Sequence, residues 1–282
     1  MGHQPAYDEP YLWWGPRGRP SAPLSLAELI VAQCLSLPAA GFLAAAIRQG
    51  RSLAVVALPS GVGKTTLLNA LLPWIPADRR RLYLRGTYEP FAFLDDPTVL
   101  PQKSTLLCNE MSPHLPDYSW GEGVVKTLDA AERGFQILTT AHAIDAAAFV
   151  RLLTGPPLRI APVAVMGFDL VVALDAEGIA PEARRRVSGI WARPPTDDDI
   201  GFVRVGDGDS TLADLSRWVS LVGDVGERQL GDEMIGEAMA DIETQRREET
   251  TAAPVSRWSA PVPNRSPAAA RPWRPRRDRL NG

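Results

Sequence analysis

"ALPSGVGKTTLLNALL" (residues 57–72) closes one apolar run and opens another, with two glycines, a lysine and two threonines packed into the joint. Gly63-Lys64-Thr65 fills the end of the pattern Gly, four residues, Gly-Lys-Ser/Thr, and Leu58 stands at its leading glycine position. Backbone N–H groups make such a phosphate cradle, so the change at 58 leaves Ser60, Gly61, Val62, Gly63, Lys64 and Thr65 to form it, with Thr66 completing the binding set. Gly61 and Gly63 supply the unusual dihedrals and the close backbone approach. Lys64 is expected to reach the β- and γ-phosphates, and Thr65 to hold Mg²⁺ through its hydroxyl. A helix starting near Thr65 aims its N-terminal dipole at the same anion. The alternative is a glycine-rich strand-to-helix turn that merely contains a lysine. The flanks favour the phosphate site, because "SLAVVAL" (52–58) reads as a buried strand and "TTLLNALL" (65–72) as an amphipathic helix.

Upstream, Ser25 and Glu28 form a capping box for "SLAELIVAQC", and Ser36 with Pro38 starts a second helix that stops at Gly50. Residues 1–24, rich in Pro, Gly and aromatics, read as an extended arm pinned by Trp13 and Trp14. Downstream come further apolar runs at 81–84, 105–109, 135–140 and 169–174, separated by helix-compatible or loop segments. Strands alternating with helices predict a doubly wound α/β domain with a mostly parallel sheet. "RRVSGIWARP" (185–194) and "GFVRVGDGD" (201–209) read as an antiparallel pair at the sheet edge. Residues 210–246 have helical spacing, with Leu212, Leu215, Trp218 and Val219 on one face and Met234, Ile235, Ala238 and Ile242 on another. The expected division is therefore an arm (1–24), an α/β domain with an edge extension (25–209), C-terminal helices (210–246) and a disordered Arg/Pro-rich tail (247–282).

At 282 residues and 45% hydrophobic, the chain can bury one substantial core. Residues 253–282 hold seven arginines against the single acid Asp278, so the body ahead of them is acidic within a total of −3. An acidic body argues against a globular domain that grips nucleic acid. The tail reads either as a solvated extension or as a weak polyanion contact, with Trp258 and Trp273 as anchors. Cys34 and Cys108 fit neither a disulfide framework nor a four-cysteine metal site. The opening "MGHQPAYDEP" has no basic n-region or apolar h-region, and no run is long enough to span a bilayer, so a soluble cytoplasmic protein is expected.

Turnover of a nucleotide needs a carboxylate near the metal and a group that orients water. "TLLCNE" offers Glu110 at the end of a buried strand, where an acid in an open α/β sheet reaches the ligand crevice. Glu89 follows the strand at 81–84, and "ILTTAHA" ends a third strand with Thr139, Thr140 and His142. Each has a plainer reading, as a surface acid, a solvated loop acid or a helix-start histidine. Asp175 after "FDLVVAL" is a rival to Glu110. "SPHLPDYSWGEG" (112–123) is too aromatic and Pro-rich for a featureless connector and reads as a subunit- or partner-contact loop.

Over roughly residues 24–205, the order of two helices, "GVGKTTLLNALLPWIP", a strand leading to "YE", a strand ending "NE" and "GFQILTTAHA" resembles a known family. It is similar to the ATPases of type II and type IV secretion systems and type IV pili, especially the tight-adherence and archaeal-type branch. The resemblance implies a RecA-like fold, ATP and Mg²⁺ as cofactors, and a homo-oligomeric ring, as a hexamer. It further implies a membrane platform protein as partner at the inner face of the membrane. It gives Glu89 the role of catalytic glutamate, Glu110 that of Walker B glutamate and His142 that of the His-box histidine. Arg85 and Gly86 stand where the family's Asp box has acids, Asn109 stands at the Walker B glycine, and the family's large N-terminal domain is matched only by the arm. Arg133 and Arg151 are alternatives for an arginine supplied to a neighbouring subunit. Three readings stay open: a motor ATPase, a regulatory module that binds nucleotide without hydrolysis, and another P-loop enzyme such as a small-molecule kinase.

Overall fold

A computed structural model describes residues 7–8, 10, 23–115, 117–178, 183–194, 201–216 and 231–251. Trp13, Trp14, Trp218, Val219 and the arginine-rich tail lie outside the described residues. The described strands form a seven-stranded sheet. In chain order they are β1 (Leu53–Val56), β2 (Arg80–Tyr83), β3 (Ser104–Met111), β4 (Gln136–Ala141), β5 (Leu170–Glu177), β6 (Arg184–Ala192) and β7 (Val203–Gly206). Their spatial order is β2-β3-β4-β1-β5-β6-β7. The first five run parallel, while β6 is antiparallel to β5 and β7 to β6. The edge pair read from "RRVSGIWARP" and "GFVRVGDGD" is thus a two-strand antiparallel extension of a parallel sheet.

Strands β1, β3 and β4 are buried along their whole length because both faces of the sheet are covered there. Leu53 and Val55 of β1 face one core with Leu138, Leu170 and Val172, whereas Ala54 and Val56 face the other with Ile137, Val171 and Ala173. Helices α1 (Leu26–Val31), α2 (Leu37–Arg48) and α3 (Lys64–Leu71) cover the first face. Helices α4 (Glu122–Glu132), α5 (Ala146–Thr154) and α6 (Pro162–Val165) cover the second. Helix starts follow local chemistry. Ser25 Oγ accepts from Glu28 N while the Glu28 carboxylate accepts from Ser25 N, and Ser36 Oγ accepts from Ala39 N. Such caps satisfy backbone donors that the helix leaves without partners.

The last described helix, Asp232–Thr251, lies on α1 and α2. Ile235, Ala238 and Ile242 are fully buried, as their spacing predicts. Where the composition predicts disorder from 247, the helix runs on to Thr251, and there Glu249 accepts from Ser25 Oγ at 3.0 Å; earlier in the helix, Asp241 Oδ2 accepts from Arg48 at 2.6 Å. Gly41 of α2 lets the two helices close in, since a Cβ there would meet Met239 Cγ at 2.5 Å and Ile235 O at 3.2 Å. At the N-terminal side, Tyr7 O accepts from Tyr83 N at 3.0 Å, the Tyr7 ring packs edge-on to Phe93, and Arg80 pairs with Asp8. The arm is therefore fastened to β2 at Tyr7 and Asp8, a contact the sequence did not single out.

Candidate functional site

The loop between β1 and α3 leaves the sheet at Ala57, whose N–H donates to Ala141 O at 3.3 Å. Leu58, Pro59, Ser60 and Gly61 are exposed, while Val62 is buried and so anchors the loop. Gly61 has φ +82°, in space that would accommodate a Cβ, so the dihedral alone demands glycine there. Gly63 has φ +112°, also in the left-handed region, and is the N-cap of α3. No side chain caps that end. Donors of the first helical turn, with the macrodipole behind them, thus face the loop, as an anion site requires. Thr65 and Thr66, in that turn, are partly exposed.

Lys64 is buried, and its Nζ lies 3.8 Å from Glu110 Oε2. Burial pushes the Lys64 ammonium below its usual range, and the charge and hydrogen bond of Glu110 pull it partly back. Glu110 reaches the lysine from β3, two strands away from β1 in the sheet. Between Cys108 and Met111 the β3–β4 register shifts, with Cys108 opposite Thr139 and Met111 opposite Ala141. One extra residue in β3 makes a bulge, a device that re-aims side chains near functional sites. The chain then folds back on the strand end, with Ser119 N donating to Glu110 O and Ser112 N to Ser119 O.

Around Glu110, Thr140 Oγ1 donates to Asn109 O at 2.9 Å and lies 3.4 Å from Glu110 Oε2. His142 Nε2 lies 3.0 Å from Glu110 Oε1, and His142 Nδ1 lies 3.0 Å from Leu58 O. The first contact has hydrogen-bond length without the alignment, so Glu110 Oε1 is buried without a hydrogen-bond partner. Lys64, Glu110 and His142, singled out separately in the sequence, thus form one cluster at the mouth of the loop.

Glu89 is held differently. Its Oε1 accepts from Phe91 N at 2.9 Å and its Oε2 from Arg85 N at 3.1 Å, so the carboxylate ties its own loop together. Burial pushes its pKa up, against the two backbone bonds and the Arg85 charge. Asp175 is exposed on the outer part of β5 and accepts from Ala176 N. Arg133 and Arg151 are exposed.

Sequence reasoning passed over His114. Its ring stands edge-on to that of His142 with centroids 5.0 Å apart, and its Nδ1 is engaged by Ser112 Oγ. The available signal was its spacing of four residues from Glu110 in a chain with three histidines.

Among solved structures, the chain is similar to the VirB11 ATPase from the Brucella suis type IV secretion system in complex with sulphate. The identity is 20% and the TM-score 0.41, over 67% of this chain and 64% of that one. It is also similar to the Legionella pneumophila ATPase DotB, at 13% identity and a TM-score of 0.36, over 84% of this chain and 64% of that one. The chain spans under two thirds of the length of each. No protein-family model and no curated protein matches it. Its own topology carries the fold: a glycine-rich loop after the central strand, β4 between that strand and the acid-bearing β3, and helices on both faces of a mostly parallel seven-stranded sheet make a mixed α/β domain.

Proposed function

We propose that the chain binds ATP with magnesium at residues 60–66 and hydrolyses it to power or regulate assembly of a pilus-like or secretion apparatus. The observation that carries this reading is the buried Lys64–Glu110 pair at the uncapped start of α3, beside a loop with two left-handed glycines. The residues fit the cofactor: backbone donors and an ammonium for phosphate, a hydroxyl and a carboxylate for a hard cation. Bound ATP·Mg²⁺ would supply the phosphoanhydride whose cleavage is the energy source. Lys64 and the loop amides bind and neutralise the terminal phosphate, Thr65 and Glu110 hold magnesium, and Glu89 orients water. His142, between Glu110 and the loop carbonyl of Leu58, would couple the loss of that phosphate to movement of the next subunit.

In this reading residues 25–209 are the ATPase domain, and the helix Asp232–Thr251 on α1 and α2 braces it. The motif resemblance extends the proposal to a ring of six copies at the cytoplasmic face of a membrane, docked on a platform protein, with Arg133 or Arg151 reaching a neighbour. Among the described residues no helix is long and apolar enough to cross a membrane, which suits attachment through a partner.

One observation favours a second reading, a nucleotide-dependent clip without turnover: both Glu89 oxygens already accept backbone bonds within their own loop. Steady-state ATP hydrolysis of the wild type beside Lys64→Ala and Glu89→Gln, with light scattering in ATP and magnesium, separates the two. Turnover abolished by both substitutions in an ATP-dependent ring supports the motor. Tight ATP binding lost only in Lys64→Ala, without turnover, supports the clip. No ATP binding by the wild type sinks both.

A further inference from the structure

We propose that Glu110, His114 and His142 form a binding site for a divalent transition ion of the zinc class, which shares Glu110 with the proposed magnesium position and takes its other ligands from the two histidines. One ligand atom from each residue lies within 4.8 Å of the other two. The Glu110 side chain is 7% exposed, and its Oε1 is buried, has no hydrogen-bond partner and lies 3.0 Å from the His142 imidazole.

The histidines are oriented as metal ligands are. His142 Nδ1 faces the carbonyl of Leu58 at 3.0 Å, and a carbonyl can only accept, so Nδ1 carries the proton. That leaves Nε2 with its lone pair 3.0 Å from Glu110 Oε1 without pointing at it, as two ligands of one ion would stand. Two acceptors at that separation repel unless a cation joins them. A proton on Nε2 would join these two alone. A metal ion also gives a role to His114, one ring nitrogen of which lies within 4.8 Å of the other two ligand atoms. Backing of one ring nitrogen by a backbone or side-chain oxygen is how proteins fix the ligating tautomer.

Ligands of a tetrahedral zinc ion, about 2.0–2.1 Å from it, stand about 3.3 Å apart. The Glu110–His142 separation is near that value, and the exposed His114 ring needs only a small closing movement. Three protein ligands leave a fourth position for water. Imidazole donors select zinc and its neighbours over magnesium or calcium. An ion here holds Glu110 and His142 together and so opposes the use of Glu110 for a magnesium nucleotide; this consequence, unlike the site, rests on the ATP reading.

The test is titration of the chelator-treated full chain with Zn²⁺ against a chromophoric chelator, together with the visible absorption of bound Co²⁺. One ion per chain is expected, with affinity falling about 100-fold or more in His114→Ala and in His142→Ala. Circular dichroism checks that both variants fold, and His114→Gln serves as a second probe at the exposed position. Lys64→Ala should keep zinc binding while losing ATP binding. Absence of a stoichiometric ion, or binding that survives both histidine substitutions, overturns the proposal. Wild-type protein that binds zinc through the histidines but does not bind ATP sinks the nucleotide reading and leaves this site standing.

Discussion

Lys64 Nζ stands 3.8 Å from Glu110 Oε2, and each side chain is only 7% exposed. The pair joins the start of α3 to the end of β3, so the acid holds the lysine in place before any phosphate does. Removing one partner leaves the other charge buried. Glu110→Ala should lower stability to urea at neutral pH by about 3 kcal/mol. The double variant Lys64→Met/Glu110→Leu should lose clearly less, because no lone charge remains. Equal losses in the two would show that the pair contributes packing rather than charge compensation.

Glu89 makes a pH prediction. Its folded pKa is raised above 4.5, chiefly by burial. As pH falls, the native chain takes up this proton before the unfolded chain does. This group's contribution to stability therefore grows as pH drops toward 4.5 and is lost as pH rises through the folded value. The stability difference, wild type minus Glu89→Gln, should increase between pH 7 and pH 4.5. A flat difference by urea unfolding would mean that the carboxyl is not effectively desolvated.

Asp169 connects the starts of two neighbouring strands. It accepts from Ser52 N at 2.8 Å and Arg51 Nη1 at 3.1 Å, with Arg193 at 3.6 Å. Asp169→Ala removes the acceptor of the N–H just ahead of β1 and should cost about 2 kcal/mol in chemical denaturation. Asp169→Asn, which keeps one acceptor oxygen, should cost less. A neutral Asp169→Ala would place the strand registers under other control.

Gly41 limits how closely the last helix sits. Gly41→Val should destabilise by about 1–3 kcal/mol through overpacking. Adding Met239→Ala should restore part of that loss, because Met239 Cγ is the nearest atom to the new Cβ. No recovery in the double variant would put the clash on the Ile235 backbone instead.

The fold was legible where one local rule acts alone. "SLAVVAL" and "DLVVAL" read as strands because both faces are covered, and Ser25 and Ser36 read as caps because a hydroxyl there meets open helix donors. The β3 bulge was not legible, since it exists only relative to β4, and it sets where Glu110 points. His114 was hidden for a related reason: its loop returns onto the strand through Ser112 and Ser119, a nonlocal pairing without a composition signature. Glu89 was found by position, but the use of both its oxygens by the Arg85–Phe91 loop depends on a turn that the sequence pattern does not specify. Trp13 and Trp14 drew the eye as arm anchors, whereas the described fastening uses Tyr7 and Asp8.

That fastening also guards the sheet. β2 is the outermost parallel strand, and such a border presents N–H and C=O groups that can recruit a strand from another molecule. The Tyr7 carbonyl occupies the Tyr83 amide, and the Asp8–Arg80 pair places charges along the same margin. Loss of these two residues would expose a template for edge-to-edge aggregation, so the short arm serves this chain as a safeguard of solubility.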